Sequence, residues 1–137
     1  MKYAVYVPLY LVMLLIYNLI MVTSDAIANN PALIEIPHMA KTEGVVFRLN
    51  DLLIIFGIVL LYLEILKAIR RTTLTVLDHG LSLLVFILFL IEFIAVAGAG
   101  TSTFLILMSM ALLDVVAGFT VTISTSRRDI SLGAANE

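Results

Sequence analysis

Residues 81–100 read LSLLVFILFLIEFIAVAGAG, and residues 101–123 read TSTFLILMSMALLDVVAGFTVTI. Each run is long enough to cross a bilayer, whose hydrocarbon core takes about 20 apolar residues of helix. The turn between them, residues 98–103, carries no charge, which predicts a tight antiparallel helix pair. Each half holds one carboxylic acid, Glu92 and Asp114. Counted from a turn centred near residue 101, the two differ in depth by only about 6 Å at ~1.5 Å per residue. Both are therefore expected near the bilayer midplane, where an acid is costly and turns toward protein or water.

Composition points the same way. The 137 residues are 62% hydrophobic and 13% charged, whereas soluble domains are roughly half apolar and about a quarter charged. The chain reads as one all-α integral membrane domain, a four-helix transmembrane bundle over residues 1–137. Its spans are expected at residues 3–23, 51–70, 80–98 and 103–124. A net charge of −2, with no basic patch interleaved with aromatics, argues against a nucleic-acid partner. The chain has no cysteine, which excludes disulfides, thiol catalysis, thiolate metal sites and cysteine-linked lipids.

The first span is interrupted only by Pro8 and Asn18. Ala26-Ile27-Ala28 matches a signal-peptide cleavage pattern, but a single basic Lys2 and a long apolar run favour a retained helix. Tyr3, Tyr6, Tyr10 and Tyr17 share one helix face with Met13. That face is either a packing stripe with Tyr3 in the interfacial belt, or a device in which Tyr10 donates to a buried acid. Asn18 is expected to bond across helices rather than to a ligand.

The outer loop, residues 24–50, contains Asn30-Pro31, which resembles a helix N-cap with proline at the first position. A short helix through Glu35, stopped by Pro37, is predicted. Leu33, Ile34, Ile36 and Met39 are placed on the membrane surface, and His38 is a solvated loop residue. Asn50 or Asp51 is expected to cap the second span. Within that span Glu64 and Lys67 lie three apart, helix neighbours that predict an ion pair near the headgroups. Gly57 shares the face of Glu64 and admits a close helix. Lys67, Arg70 and Arg71 open the loop at residues 71–79, which Asp78-His79-Gly80 closes, and residues 125–137 form a tail.

Orientation follows from the basic residues. Lys2, Lys67, Arg70, Arg71, Arg127 and Arg128 fall on one side, and Lys41 and Arg48 on the other. The positive-inside rule then puts both termini in the cytoplasm and residues 24–50 outside. No internal repeat supports an inverted-repeat transporter. With no organelle-targeting segment in the sequence, the expected location is the bacterial cytoplasmic (inner) membrane.

Asp114 shares a face with Met110, Ala111, Ala117, Gly118 and Val121, and Glu92 with Leu88, Ala95, Val96 and Ala99. Small residues let membrane helices touch, so Gly57, Ala95, Ala99, Ala111 and Gly118 are the expected packing positions. No Lys or Arg lies in the middle of any span. An acid without a counter-cation is hard to keep ionised in lipid, so at least one is expected to carry a proton, shared between Glu92 and Asp114.

Glu92, Asp114, Glu64, Tyr10 and Asn18 are thus the candidate intramembrane polar or proton-site residues. No catalytic residue, metal site or cofactor is expected, since no HExxH, GxSxG or phosphate loop is present. Three function classes compete. The first is a structural or accessory subunit or self-associating bundle, its carboxylates serving as interhelical hydrogen-bond groups. The alternative is a proton-coupled or cation-conducting protein using Glu92 and Asp114. A haem or redox subunit comes third, because His38 and His79 fall on opposite sides. The expected partners are the lipid bilayer and either further copies of the chain or a larger membrane complex.

The four spans, the long outer loop, LYLEI at residues 61–65 and the serine-arginine tail after the fourth span resemble the phosphate-starvation-inducible E (PsiE) proteins. The similarity is best over residues 61–128, in span order and spacing, and Glu92 departs from that family's pattern. The resemblance implies a bacterial inner-membrane protein linked to phosphate limitation, and it lends no catalytic residue.

Overall fold

The computed structural model describes residues 8–37, 44–70 and 75–134. It is mostly helical: α1 (Leu9–Thr23), a single turn α2 (Ala26–Asn29), α3 (Leu49–Arg70), α4 (Thr75–Ala95) and α5 (Ser102–Ala134). A 3-10 turn, Ala97–Ala99, joins α4 to α5, and two short strands, β1 (Ala32–Ile36) and β2 (Val45–Arg48), lie between α2 and α3. Helices α4 and α5 form the antiparallel hairpin expected of residues 81–123, and α3 lies along both α5 and α1.

Two helical stretches are long and apolar enough to cross a membrane, Leu49–Ile69 and Ser102–Ser124, while Leu9–Thr23 and His79–Ala95 are shorter apolar helices. Among the described residues only these two reach that length, where four spans were expected. Helix α1 has 15 residues, about 22 Å of helix against a hydrocarbon core of about 30 Å. Pro8, in extended conformation, stands at its start, and Leu11 N–H reaches the Pro8 carbonyl at 3.1 Å. Residues 3–7 of the expected span, with Tyr3 and Tyr6, lie outside the described residues. At the other end, the Thr23 and Ser24 hydroxyls donate to the Leu19 and Ile20 carbonyls at 2.6 and 3.0 Å.

The helix expected at residues 31–35 is a strand instead. Asn30 closes α2 in the left-handed conformation (φ 41°), and the following Ala-Leu-Ile-Glu-Ile pairs antiparallel with Val45–Arg48. Pro31 follows a helix end rather than opening a helix, and the β-branched residues of both segments suit a pleated ladder. Leu33 is the extra residue where the register shifts between Ala32 and Ile34. Met39 and His38 lie outside the described residues.

The start of α3 also differs in detail. The helix begins at Leu49, and Asp51 works from one turn inside, its Oδ2 accepting the Arg48 N–H at 2.9 Å, as the third residue of a capping box does. Asn50 bonds backward, its N–H donating to Asn30 Oδ1 at 3.0 Å. A further correction concerns His79: α4 starts at Thr75, so this histidine belongs to a helix and is buried, not part of a loop.

The core runs down the middle of the four long helices. Tyr10, Met13 and Tyr17 of α1, Leu53 and Leu60 of α3, Val85 and Phe89 of α4 and Phe104, Leu107 and Ala111 of α5 are all buried.

Asn30 joins two roles, since its side-chain Oδ1 also accepts the Asn50 N–H at 3.0 Å. Asn30→Ala is expected to lower the unfolding free energy by about 1–3 kcal/mol, the sum of a left-handed alanine and a lost hydrogen bond. Asn30→Gly should lose less, because glycine accepts that backbone freely. Denaturant titration of both variants in detergent measures the difference.

Candidate functional site

The polar side chains inside the bundle form two layers. The outer one lies near the α4–α5 turn. Asn18 Nδ2 donates to Glu92 Oε2 at 2.8 Å, and also to the Leu14 carbonyl of its own helix at 3.1 Å. The interhelical bond expected of Asn18 is therefore present, with Glu92 as its partner. From the preceding residue of α1, Tyr17 Oη lies 2.7 Å from Thr101 Oγ1. Thr101 Oγ1 also accepts the Phe104 N–H at 3.1 Å, making Thr101 the N-cap of α5. Thr101 escaped the sequence reading, although a threonine just before a long apolar run is an N-cap signal.

The inner layer is built on α3. Glu64 is buried, and its Oε1 accepts from Lys67 Nζ at 2.6 Å, the expected ion pair. Its Oε2 accepts the Leu9 N–H at 2.8 Å, a contact between helices that spacing within α3 does not reveal. Pro8 has no N–H, so Leu9 presents the first donor of α1. A carboxylate there satisfies an orphan group and complements the positive end of the helix dipole.

Asp114 belongs to this inner layer. Gly57 of α3 faces α5 and α1 together: a β-carbon there would lie 2.7 Å from Leu107 Cδ2, 3.2 Å from Tyr10 Oη and 3.4 Å from Met110 Sδ. Glu64 follows Gly57 by seven residues, and Asp114 follows Leu107 by seven. Two turns on the same face of two parallel helices bring Glu64 and Asp114 to one level. From α4, buried His79 and Ser82 reach the same end. His79 Nδ1 occupies the space that a Gly118 side chain would take. That space lies over the turn N-terminal to Gly118, which is the turn of Asp114.

Between the layers runs a chain of aromatic rings. Ring centroids are 5.7 Å apart for Tyr10 and Phe89, 5.2 Å for Phe89 and Phe104, and 4.9 Å for Phe104 and Tyr17. Met13 and Leu107, both fully buried, flank it.

This geometry corrects the central expectation. Phe93 opposes Phe104 and His79 opposes Gly118, so the hairpin register is centred near residue 98, not 101. The 3-10 turn lies at Ala97–Ala99, and Thr101 already caps α5. Glu92 and Asp114 then lie roughly 15 Å apart along the helices. They do not meet and do not share a proton. Tyr10 and Tyr17, seven residues apart, mark the same separation: Asp114 acts electrostatically on Tyr10, and Glu92 on Tyr17.

The remaining positions divide. Tyr10 is buried, and its hydroxyl has no hydrogen-bond partner among the described residues, so the packing stripe describes it and donation to an acid does not. Gly57, Ala99, Ala111 and Gly118 are buried, whereas Ala95 is exposed and makes no close packing seam. Glu92 is half-buried, at the edge of the bundle. A cavity of about 300 Å³ opens beside Thr101, between Met21, Asp25, Ile27 and Gly98. Among the described residues no group of three His, Asp or Glu side chains is arranged to hold a metal ion.

No family model, curated protein or solved structure matches the chain.

Two outcomes follow from the layers. In a double-mutant cycle, Asn18→Ala and Glu92→Ala should show a coupling of about 0.5–2 kcal/mol, the range of interhelical hydrogen bonds in membranes. Gly118→Ala drives a methyl group into the His79 ring and should destabilise the protein by about 1–3 kcal/mol, as overpacking does. His79→Ala placed on top of it should recover most of that loss, as read from thermal midpoints in detergent.

Proposed function

We propose that this chain is a small multi-pass protein of the bacterial cytoplasmic membrane, with both termini cytoplasmic. In this reading it acts as a structural or accessory helical bundle, alone, as a homo-oligomer or within a larger membrane complex. Its carboxylates serve as interhelical links. The inverted distribution of side chains supports the membrane part. Leu15 and Leu19 of α1, Ile58 of α3, Ile91 and Ile94 of α4 and Leu113 of α5 are exposed, while Glu64, His79, Ser82 and Asp114 are buried. A water-soluble protein seldom exposes contiguous apolar surface on this scale, whereas lipid favours it.

One observation carries the structural role. Two of the intramembrane acids each bond to a helix other than their own, Glu92 to Asn18 of α1 and Glu64 to the first N–H of α1. These bonds fasten the shorter helix α1 to α3 and α4. A proton or cation path through Glu92 and Asp114 is disfavoured by the Tyr10–Phe89–Phe104–Tyr17 stack between their layers. Apart from the hydroxyls of Tyr10 and Tyr17 at its ends, that stretch is aromatic and aliphatic.

Proteoliposomes under an imposed pH gradient test this reading. Wild-type protein is expected to carry no proton flux above that of empty vesicles, and Glu92→Gln with Asp114→Asn should fold and associate as wild type does. Wild-type flux that disappears in this double variant would establish the conducting alternative instead.

A further inference from the structure

Among the described residues the β1–β2 hairpin is exposed along both strands, with only Phe47 half-buried. Paired residues point to the same side of a two-stranded sheet, so the pairs Ile34–Phe47 and Ile36–Val45 build one face, and Glu35–Val46 belongs to the other,. The first face is apolar throughout. Ile34, Ile36 and Val45 on it are 61, 53 and 47% exposed. A lone two-stranded hairpin is marginal in water, and four large apolar side chains on one side of it call for a cover.

The position of the hairpin identifies that cover. Strand β2 continues without a break into α3. The base is tied down by three bonds: Leu49 N–H to the Pro31 carbonyl at 3.1 Å, Asn50 N–H to Asn30 Oδ1 at 3.0 Å, and Arg48 Nη1 to the Asn30 carbonyl at 3.1 Å. The sheet is thus held at the level where α3 begins, and the exposed Leu52, Ile55 and Phe56 of α3 follow within two turns. Hairpin and helix start thus both expose large apolar side chains within one unbroken stretch of chain. Its unpaired strand edges need water, which keeps the sheet out of the hydrocarbon core itself. An apolar face with hydrated edges fits the boundary between headgroups and acyl chains.

We propose that the Ile34–Ile36–Val45–Phe47 face is a membrane-docking surface, a β-hairpin laid on the outer leaflet beside α3. The proposal rests on the reading that the bundle spans a bilayer. It changes what the outer segment is for: the strands fix how deep α3 sits and hold its outer end against lipid.

The chain contains no tryptophan, so one introduced indole reports one position. Full-length Ile34→Trp, Glu35→Trp and Leu113→Trp proteins are reconstituted in phosphatidylcholine–phosphatidylglycerol vesicles. Each is quenched by iodide in the medium and by lipids brominated at shallow or deep acyl positions. Ile34→Trp should be blue-shifted, quenched by shallow bromines and several-fold less accessible to iodide than Glu35→Trp on the opposite face. Leu113→Trp, on the exposed side of α5, should be quenched by deep bromines. Should Ile34→Trp perturb folding, Val45→Trp carries the same expectation.

Iodide quenching of Ile34→Trp equal to that of Glu35→Trp, with Leu113→Trp still quenched by bromines, overturns the docking surface and leaves the membrane reading standing. Protection of Ile34→Trp from both iodide and brominated lipid also overturns it, because a second copy or another protein then covers the face. If Leu113→Trp escapes brominated lipid, the membrane reading fails and the docking surface falls with it.

Discussion

A carboxylate removed from water needs donors, and here Glu64 and Glu92 each take one from a neighbouring helix. Glu64 shows the constraint most clearly. Its two oxygens are taken by Lys67 of its own helix and by the first backbone N–H of α1. Removing either partner would leave a buried charge partly uncompensated, a far larger penalty than the net worth of one hydrogen bond. The position of α1 is set by this pairing at one end and by Asn18–Glu92 and Tyr17–Thr101 at the other. Apolar packing fills the space between but does not by itself fix a register, since lipid tails are as apolar as leucine.

The middle of the bundle explains why the two polar ends are separate. Tyr10, Phe89, Phe104 and Tyr17 are fully or almost fully buried and contact one another in sequence. Offset and edge-to-face rings of this kind add a directional preference to simple burial. Gly57 makes room for the arrangement on the α3 side, where the Leu107 side chain and the Tyr10 hydroxyl share the space that a larger residue would fill.

Much of this was readable from spacing alone. The hairpin of residues 81–123, the Glu64–Lys67 pair and the reach of Asn18 across helices all follow from period and residue type. Gly57 as a point of close approach follows in the same way. The level of Asp114 relative to Glu92 did not, because a hairpin register depends on where the turn is centred, and three residues of 3-10 helix move every later contact. Burial of His79 was hidden by placing the start of α4 at residue 80. Had the helix been extended by one turn, His79, Ser82, Val85 and Phe89 would have emerged as one stripe. The hairpin of residues 32–48 was obscured by Asn30-Pro31, a dipeptide that serves equally at the start of a helix and just after the end of one.

The bond from Leu9 to Glu64 has a bearing on how the protein is made. It joins residues 55 apart, and the bonds from Asn18 to Glu92 and Tyr17 to Thr101 join residues 74 and 84 apart. These three polar ties of α1 thus await chain that leaves the ribosome later. Until then α1 holds only bonds within itself, such as that from Asn18 to the Leu14 carbonyl, and the Leu9 N–H and the Tyr17 hydroxyl await their partners.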